Sequence, residues 1–311
     1  MEEKTNDMKN TKVNNENKQS TQNPCTGQVI SEPCKTERKE INGICLHKAE
    51  EFCEILRINP DKNELEGLAM LFQKYLRTSP NVSRWALMWV KQVADHTKNK
   101  EKILLTADLL TQDNIFAAMT KFECTGTGEK IAEVVGKLVY FAAIKNQGKE
   151  MLEKTIKQVM ASEDSEEAAK IASYNVCFEQ AKNTMSIIGW DFEDRHIDMF
   201  ASLLQKFENE PRIAANLTID LCAFAKIVES QWRFLETIAR MDDETVVNCI
   251  MKFKEESKED ASKIAKGLIG IAGFTPDQKD VAAAVEKVAK AATSSEAAEM
   301  VEQMLEQMMN R

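Results

Sequence analysis

Glycine and proline are scarce in this chain, with 11 and 6 among 311 residues, and aromatic side chains make up only 6%. Sheets draw on β-branched and aromatic residues, so this shortage argues against a β-rich fold. Histidine is rarer still. Of His47, His96 and His196, none has an evident nucleophile or paired acid in its sequence context, and no hydrolytic triad can be assembled. No apolar run approaches the roughly 18 uncharged residues that a membrane-spanning helix requires. The cysteines include no CxxC pair, which leaves Cys25, Cys34, Cys45, His47 and Cys53 poorly spaced for zinc and predicts free thiols. Positive charge is also short. Lysine and arginine total 41 against 50 acids, a net charge of −9, which argues against a surface built throughout to neutralise phosphates while leaving room for a local basic strip.

Two further patterns fall short of a site. Gly126-Thr127-Gly128-Glu129-Lys130 resembles the end of a phosphate loop, but the full GxxxxGK[ST] pattern and a preceding strand are missing, so it reads as a turn between helices. The acid runs SEDSEEAA and KEESKEDAS lack the alternate-residue oxygens and central glycine of a calcium loop and read as solvated, helix-capping turns. No metal, cofactor or enzymatic activity is therefore expected. The polar start MEEKTNDMKNTKVNN carries no leader pattern, and with singly scattered cysteines it predicts a reducing, intracellular, cytoplasmic setting.

What the chain has in quantity is Ala, Glu, Lys, Leu and Met, a helix-forming mixture, with 43% apolar content to supply a core. Residues 1–44 are polar and almost free of apolar side chains, which predicts a disordered tail that folding does not need. Residues 45–59 follow as a capping helix, with apolar positions at three- and four-residue spacing up to Asn59-Pro60.

Beyond it a pattern recurs. Lys130-Ile131-Ala132, Lys170-Ile171-Ala172, Arg212-Ile213-Ala214 and Lys263-Ile264-Ala265 each open a long apolar run, and Arg84-Trp85-Ala86 is a fifth member. The five basic residues are separated by 46, 40, 42 and 51 positions, a period that points to stacked helical pairs over 60–275. Each copy follows an amphipathic helix ending in a basic-aromatic step: Lys74-Tyr75, Lys121-Phe122, Lys206-Phe207 and Lys252-Phe253, with Lys157-Gln158-Val159 the poorest match. One half-exposed and one nearly all-apolar helix per unit is what stacking predicts. Gly136, inside an apolar helix, predicts close packing, because glycine costs about 1 kcal/mol there and needs a compensating contact. Trp85 and Trp89 share a helix face, and Cys177, Cys222 and Cys249 read as core. Residues 276–311 form two helices broken at Thr293-Ser294-Ser295, whose Met300, Met304, Leu305, Met308 and Met309 stripe packs on the last repeat.

In period and pattern residues 60 to 311 resemble armadillo/HEAT-type α-helical repeats. The resemblance implies an all-α, right-handed α-solenoid of about five helical-pair repeats, with a helical C-terminal cap and a disordered N-terminal tail. An irregular all-α bundle is the alternative. The regularly placed Trp and Asn pairs of peptide-binding armadillo proteins are absent, so no ligand residues carry over. The expected role is a non-enzymatic scaffold that binds a protein partner, with no membrane contact. Candidate partner-binding residues are Arg84, Lys130, Lys170, Arg212 and Lys263. A cation in a first helical turn opposes the helix dipole, and compensation comes either from nearby acids such as Glu129, Glu167, Glu210 and Asp260 or from an acidic or phosphorylated partner laid along a basic strip. A viral nucleocapsid or filamentous coat protein binding RNA is the competing function.

Overall fold

A computed structural model describes residues 41–145 and 148–310, and the expected tail, as far as residue 40, lies outside the described residues. Among the described residues every regular element is a helix. In chain order they are α1 Gly43–Leu56, α2 Lys62–Thr78, α3 Pro80–His96, α4 Lys100–Thr111, α5 Asp113–Thr120, α6 Gly128–Lys145, α7 Lys149–Ala161, α8 Ser165–Ile188, α9 Asp194–Lys206, α10 Pro211–Val228, α11 Gln231–Met241, α12 Glu244–Phe253, α13 Lys258–Phe274, α14 Gln278–Ala289 and α15 Ser294–Met309. The capping helix α1 opens two residues inside the expected tail, because the Asn42 side chain accepts from the Ile44 amide and Asn42 in turn donates to Gln73.

Local chemistry sets the boundaries. Asp61 and Glu64 form a reciprocal capping box at the start of α2. Ser79 ends α2 in an extended conformation and caps α3 with its hydroxyl, with Pro80 at the first helical position where its missing N–H costs nothing. Asp164, Asp243, Ser257, Asp277 and Thr293 cap later helices in the same way.

The helices fall into two series. The five helices that carry the basic-Ile-Ala pattern, α3, α6, α8, α10 and α13, each pack on the next, and α15 packs on α13 at the end. In this series Ala86, Ile131, Ala132, Ala172, Ile213, Ile264 and Ala265 are buried while Arg84, Lys170, Arg212 and Lys263 are exposed. The remaining helices pack as α2 on α4, α5 on α7, α9 on α11 and α12 on α14. Two of the expected single first helices are each split in two, α4/α5 at Gln112 and α11/α12 at Asp242 and Asp243, and these splits fall in the two longest repeat intervals.

The basic-aromatic steps have one recurring structural role. Their aromatic residues Tyr75, Phe122, Phe207 and Phe253 are buried. Their lysines reach forward to the carbonyl end of a helix further along the chain. Lys74 donates to the Thr111 carbonyl at 2.6 Å; Lys121 donates to the carbonyls of Val159, Met160 and Ser162 at 3.1, 2.7 and 2.5 Å. Lys206 donates to the Asp242 carbonyl, and Lys252 to those of Ala289 and Ala291 at 2.7 and 3.4 Å. A cation at a helix C-terminus satisfies orphan carbonyls and sits at the favourable end of the dipole, so each lysine straps its own helix to a later one. Lys157 is exposed and makes no such bond among the described residues, and α7 and α9 share no extensive contact. Replacing Lys121 by methionine is expected to cost about 1–2 kcal/mol and lower the thermal midpoint by about 5 °C. Lys157→Met should leave it unchanged; equal midpoints for the two variants would refute the strap.

The gap at Lys157 coincides with a division of the core. One buried cluster runs from Cys45 to Val176 and a second from Cys177 to Val301, so α8 gives its N-terminal half to one and its C-terminal half to the other, with Phe178 against both. At the C-terminal end, α15 lies close on α13 because Gly267 and Gly270 leave room: an added Cβ would fall 1.8 Å from a Val301 methyl and 2.7 Å from a Leu305 methyl. Met300, Met304 and Met308 pack against this core as expected, and Met309 is exposed.

Candidate interaction groove

Where α6, α8 and α10 run side by side, their outer faces and the turn between α9 and α10 enclose a groove of about 850 Å³. From α6 come Glu129, Lys130, Glu133, Lys137 and Phe141; from α8 Ser173, Cys177, Gln180, Asn183 and Thr184; from α10 Ala215, Thr218 and Ile219; Trp85 of α3 closes one end. Ile219 is 64% exposed, an apolar side chain on the groove wall with little to cover it.

Seven residues lie within about 20° of two full helical turns, so positions seven apart share a face. Lys130 and Lys137, Lys170 and Cys177, and Arg212 and Ile219 are such pairs, and Lys137, Cys177 and Ile219 all line the groove. Of the five basic residues only Lys130 lines the groove itself; Lys170 and Arg212 share a helix face with a wall residue two turns further on, and Arg84 is not brought to it. Lys263 is not brought to it. It sits on α13, tied to Glu259 and Asp260 of its own helix at 3.3 and 3.5 Å.

The electrostatic expectation needs correction at two points. Only Lys130 and Arg212 fall in first helical turns. Arg84, Lys170 and Lys263 lie in the second, since α3, α8 and α13 begin at Pro80, Ser165 and Lys258, and the dipole penalty fades over that distance. Of the acids expected to compensate, only Asp260 does so. Lys130 pairs not with Glu129 but with Glu208, at 2.6 Å across 78 positions of sequence, and the Ser173 hydroxyl donates to the other oxygen of the same carboxylate. Glu210 is engaged by Lys258 and Lys254, which hold its carboxyl below the usual range. Arg84, Lys170 and Arg212 have no ion pair among the described residues.

The Cys177 thiol on the groove wall is not poised as a nucleophile. Burial pushes the Cys177 thiol up to about 11, and the nearby charge of Glu208 acts in the same direction, so the sulfur stays protonated. The described cysteines are free thiols, and no three metal-ligating side chains converge among the described residues. Cys177 and Cys249 are buried as read from the sequence, whereas Cys222 is half-buried; Cys25 and Cys34 lie outside the described residues. The Gly126–Lys130 segment is a turn entering α6: a Cβ on Gly128 would fall 2.0 Å from the Phe122 carbonyl oxygen, so glycine permits the close approach. The tryptophan pair divides, with Trp89 buried against Tyr140 and Gly136 while Trp85 is half-buried at the groove, its indole N–H enclosed without an acceptor. Asn175 and Asn216 bond to different kinds of neighbour, Thr155 and Gln158 for the first and Ser262 for the second, and form no ladder. No described helix is long and apolar enough to cross a membrane.

Sequence reasoning missed Glu208, Ser173, Lys137 and Ile219. The seven-residue register from each basic position would have reached Lys137 and Ile219. Comparison of the chain with family models, with curated proteins and with solved structures gives no match.

Proposed function

We propose that this protein is a non-enzymatic, intracellular scaffold of the armadillo/HEAT kind, a right-handed superhelical stack of helical units that captures an acidic or phosphorylated segment of a protein partner. The observation that carries the reading is the groove over α6, α8 and α10, which Lys130 lines and toward which the helical register of α8 and α10 turns the exposed Lys170 and Arg212. The successive packing of α3, α6, α8, α10 and α13, and the lysine straps in the companion series, support a repeating stack. Unpaired cations around a partly apolar wall suit a segment that offers carboxylates or phosphates together with an apolar anchor.

The test is a triple reversal, Lys130→Glu, Lys170→Glu and Arg212→Glu. Capture of the partner in a pull-down is expected to be lost while the helical circular-dichroism signal is kept, and capture by the unaltered protein should fall steeply with salt. Undiminished capture by the triple variant would remove the strip as a binding site. RNA recovered with the purified protein in large assemblies would favour the coat-protein function instead.

A further inference from the structure

Resting on that reading, we infer that Glu208 is an internal ligand that occupies the anion seat of the groove, and that an acidic or phosphorylated side chain of the partner binds by displacing it. The seat is built from two donors on different helices. Lys130 of α6 reaches the Glu208 carboxylate at 2.6 Å, and the hydroxyl of Ser173, only 5% exposed on α8, donates to its second oxygen. Two donors converging on one carboxylate, one of them charged, form the arrangement that recognises carboxylate and phosphate groups in general. Glu208 reaches it from the turn between α9 and α10; its N–H is bonded to the Gln205 carbonyl at 3.1 Å and Phe207 beside it is buried, but its side chain is 20% exposed, so the seat opens by rotation of that side chain toward solvent. The exposed cations of the same edge, Lys170 and Arg212, have no acid of their own among the described residues, so an incoming acidic segment keeps its other contacts while it competes at Lys130. Glu129 and Glu133 also line the α6 side, beside Lys130 and Lys137, so the positive charge that Glu208 holds is half of what α6 brings to the wall among the described residues. A peptide is favoured over a nucleic acid because the seat takes a single anionic group beside the exposed apolar Ile219 of the groove wall, whereas a net charge of −9 opposes a continuous polyphosphate most strongly.

An occupied seat lowers apparent affinity by the fraction of molecules in which it is open. Glu208→Gln keeps the side chain's shape and an acceptor for Ser173 while removing the charge that competes for Lys130. Fluorescence anisotropy with a labelled acidic peptide of glutamate and phosphoserine, about eight residues long, reads the outcome on the full chain. The Glu208→Gln variant is expected to bind about tenfold more tightly than the unaltered protein, and adding Lys130→Gln should abolish the gain. Unchanged or weakened binding by Glu208→Gln, beside salt-dependent binding by the unaltered protein that the triple reversal abolishes, overturns the internal ligand and leaves the basic edge standing. Failure of every form to bind, or binding of an oligouridylate of equal length in its place, overturns both.

Discussion

Gly136→Leu is expected to destabilise the protein by about 3 kcal/mol and to lower its thermal midpoint by about 10 °C. Gly136 lies in the middle of α6, where a Cβ would fall 2.3 and 2.5 Å from the Cδ1 and Nε1 atoms of Trp89 on α3. Trp89 is 5% exposed and packs on Tyr140 of α6 at 5.7 Å between ring centroids, so the indole has no free direction in which to retreat. Even alanine collides, and Gly136→Ala should be destabilising despite the gain in helix propensity. Gly67, in the interior of α2, has nothing within 4 Å of an added Cβ. Gly67→Ala is therefore expected to stabilise by about 0.5–1 kcal/mol. Thermal melts of the two alanine variants should move in opposite directions. A shift of the same sign in both would show that propensity, and not the Trp89 contact, decides at Gly136.

Arg240→Met should be nearly as damaging, at about 2–3 kcal/mol. Arg240, at the end of α11, is buried and gathers the carbonyl end of α13, donating to Ala272 and Thr275 at 2.6 and 2.5 Å and to Pro276 at 3.3 Å. Methionine fills much of the same volume but leaves those acceptors without their charged partner. Amide hydrogen exchange should show the loss first in the last turn of α13. Exchange there that is no faster than in the unaltered protein would mean that water entering beside Pro276 replaces the guanidinium without loss.

The parts of this architecture that were legible in the sequence are those repeated at buried positions. At least one of the two residues after each basic position, and the aromatic of each step, is buried against a neighbouring helix, whereas Trp85, Ile171 and Ala214 are only half-buried. Gly136 was legible for the opposite reason, being a residue that its own helix disfavours. What could not be read depends on distance in the chain. The strapping lysines were visible as a pattern, but their acceptors lie 36 to 41 residues ahead and carry no side-chain signature, since they are backbone carbonyls. The splits at Gln112 and Asp242 left only long intervals as a trace. The helix starts were misplaced at Lys170 and Lys263 because Asp164 and Ser257 cap their helices some six residues earlier. Glu208 gave no local sign at all, since its partner is 78 positions away.

The unstrapped position at Lys157 has a mechanical consequence. Elsewhere the helices flanking a lysine step are tied by a strap as well as by packing, but at the middle of the chain the connection passes chiefly through α8, a single rod of 24 residues shared by both cores. The groove lies over that rod, and its two outer walls, α6 and α10, belong to different cores. What is laid in the groove therefore bridges two separately packed halves, and its binding energy adds to the coupling between them.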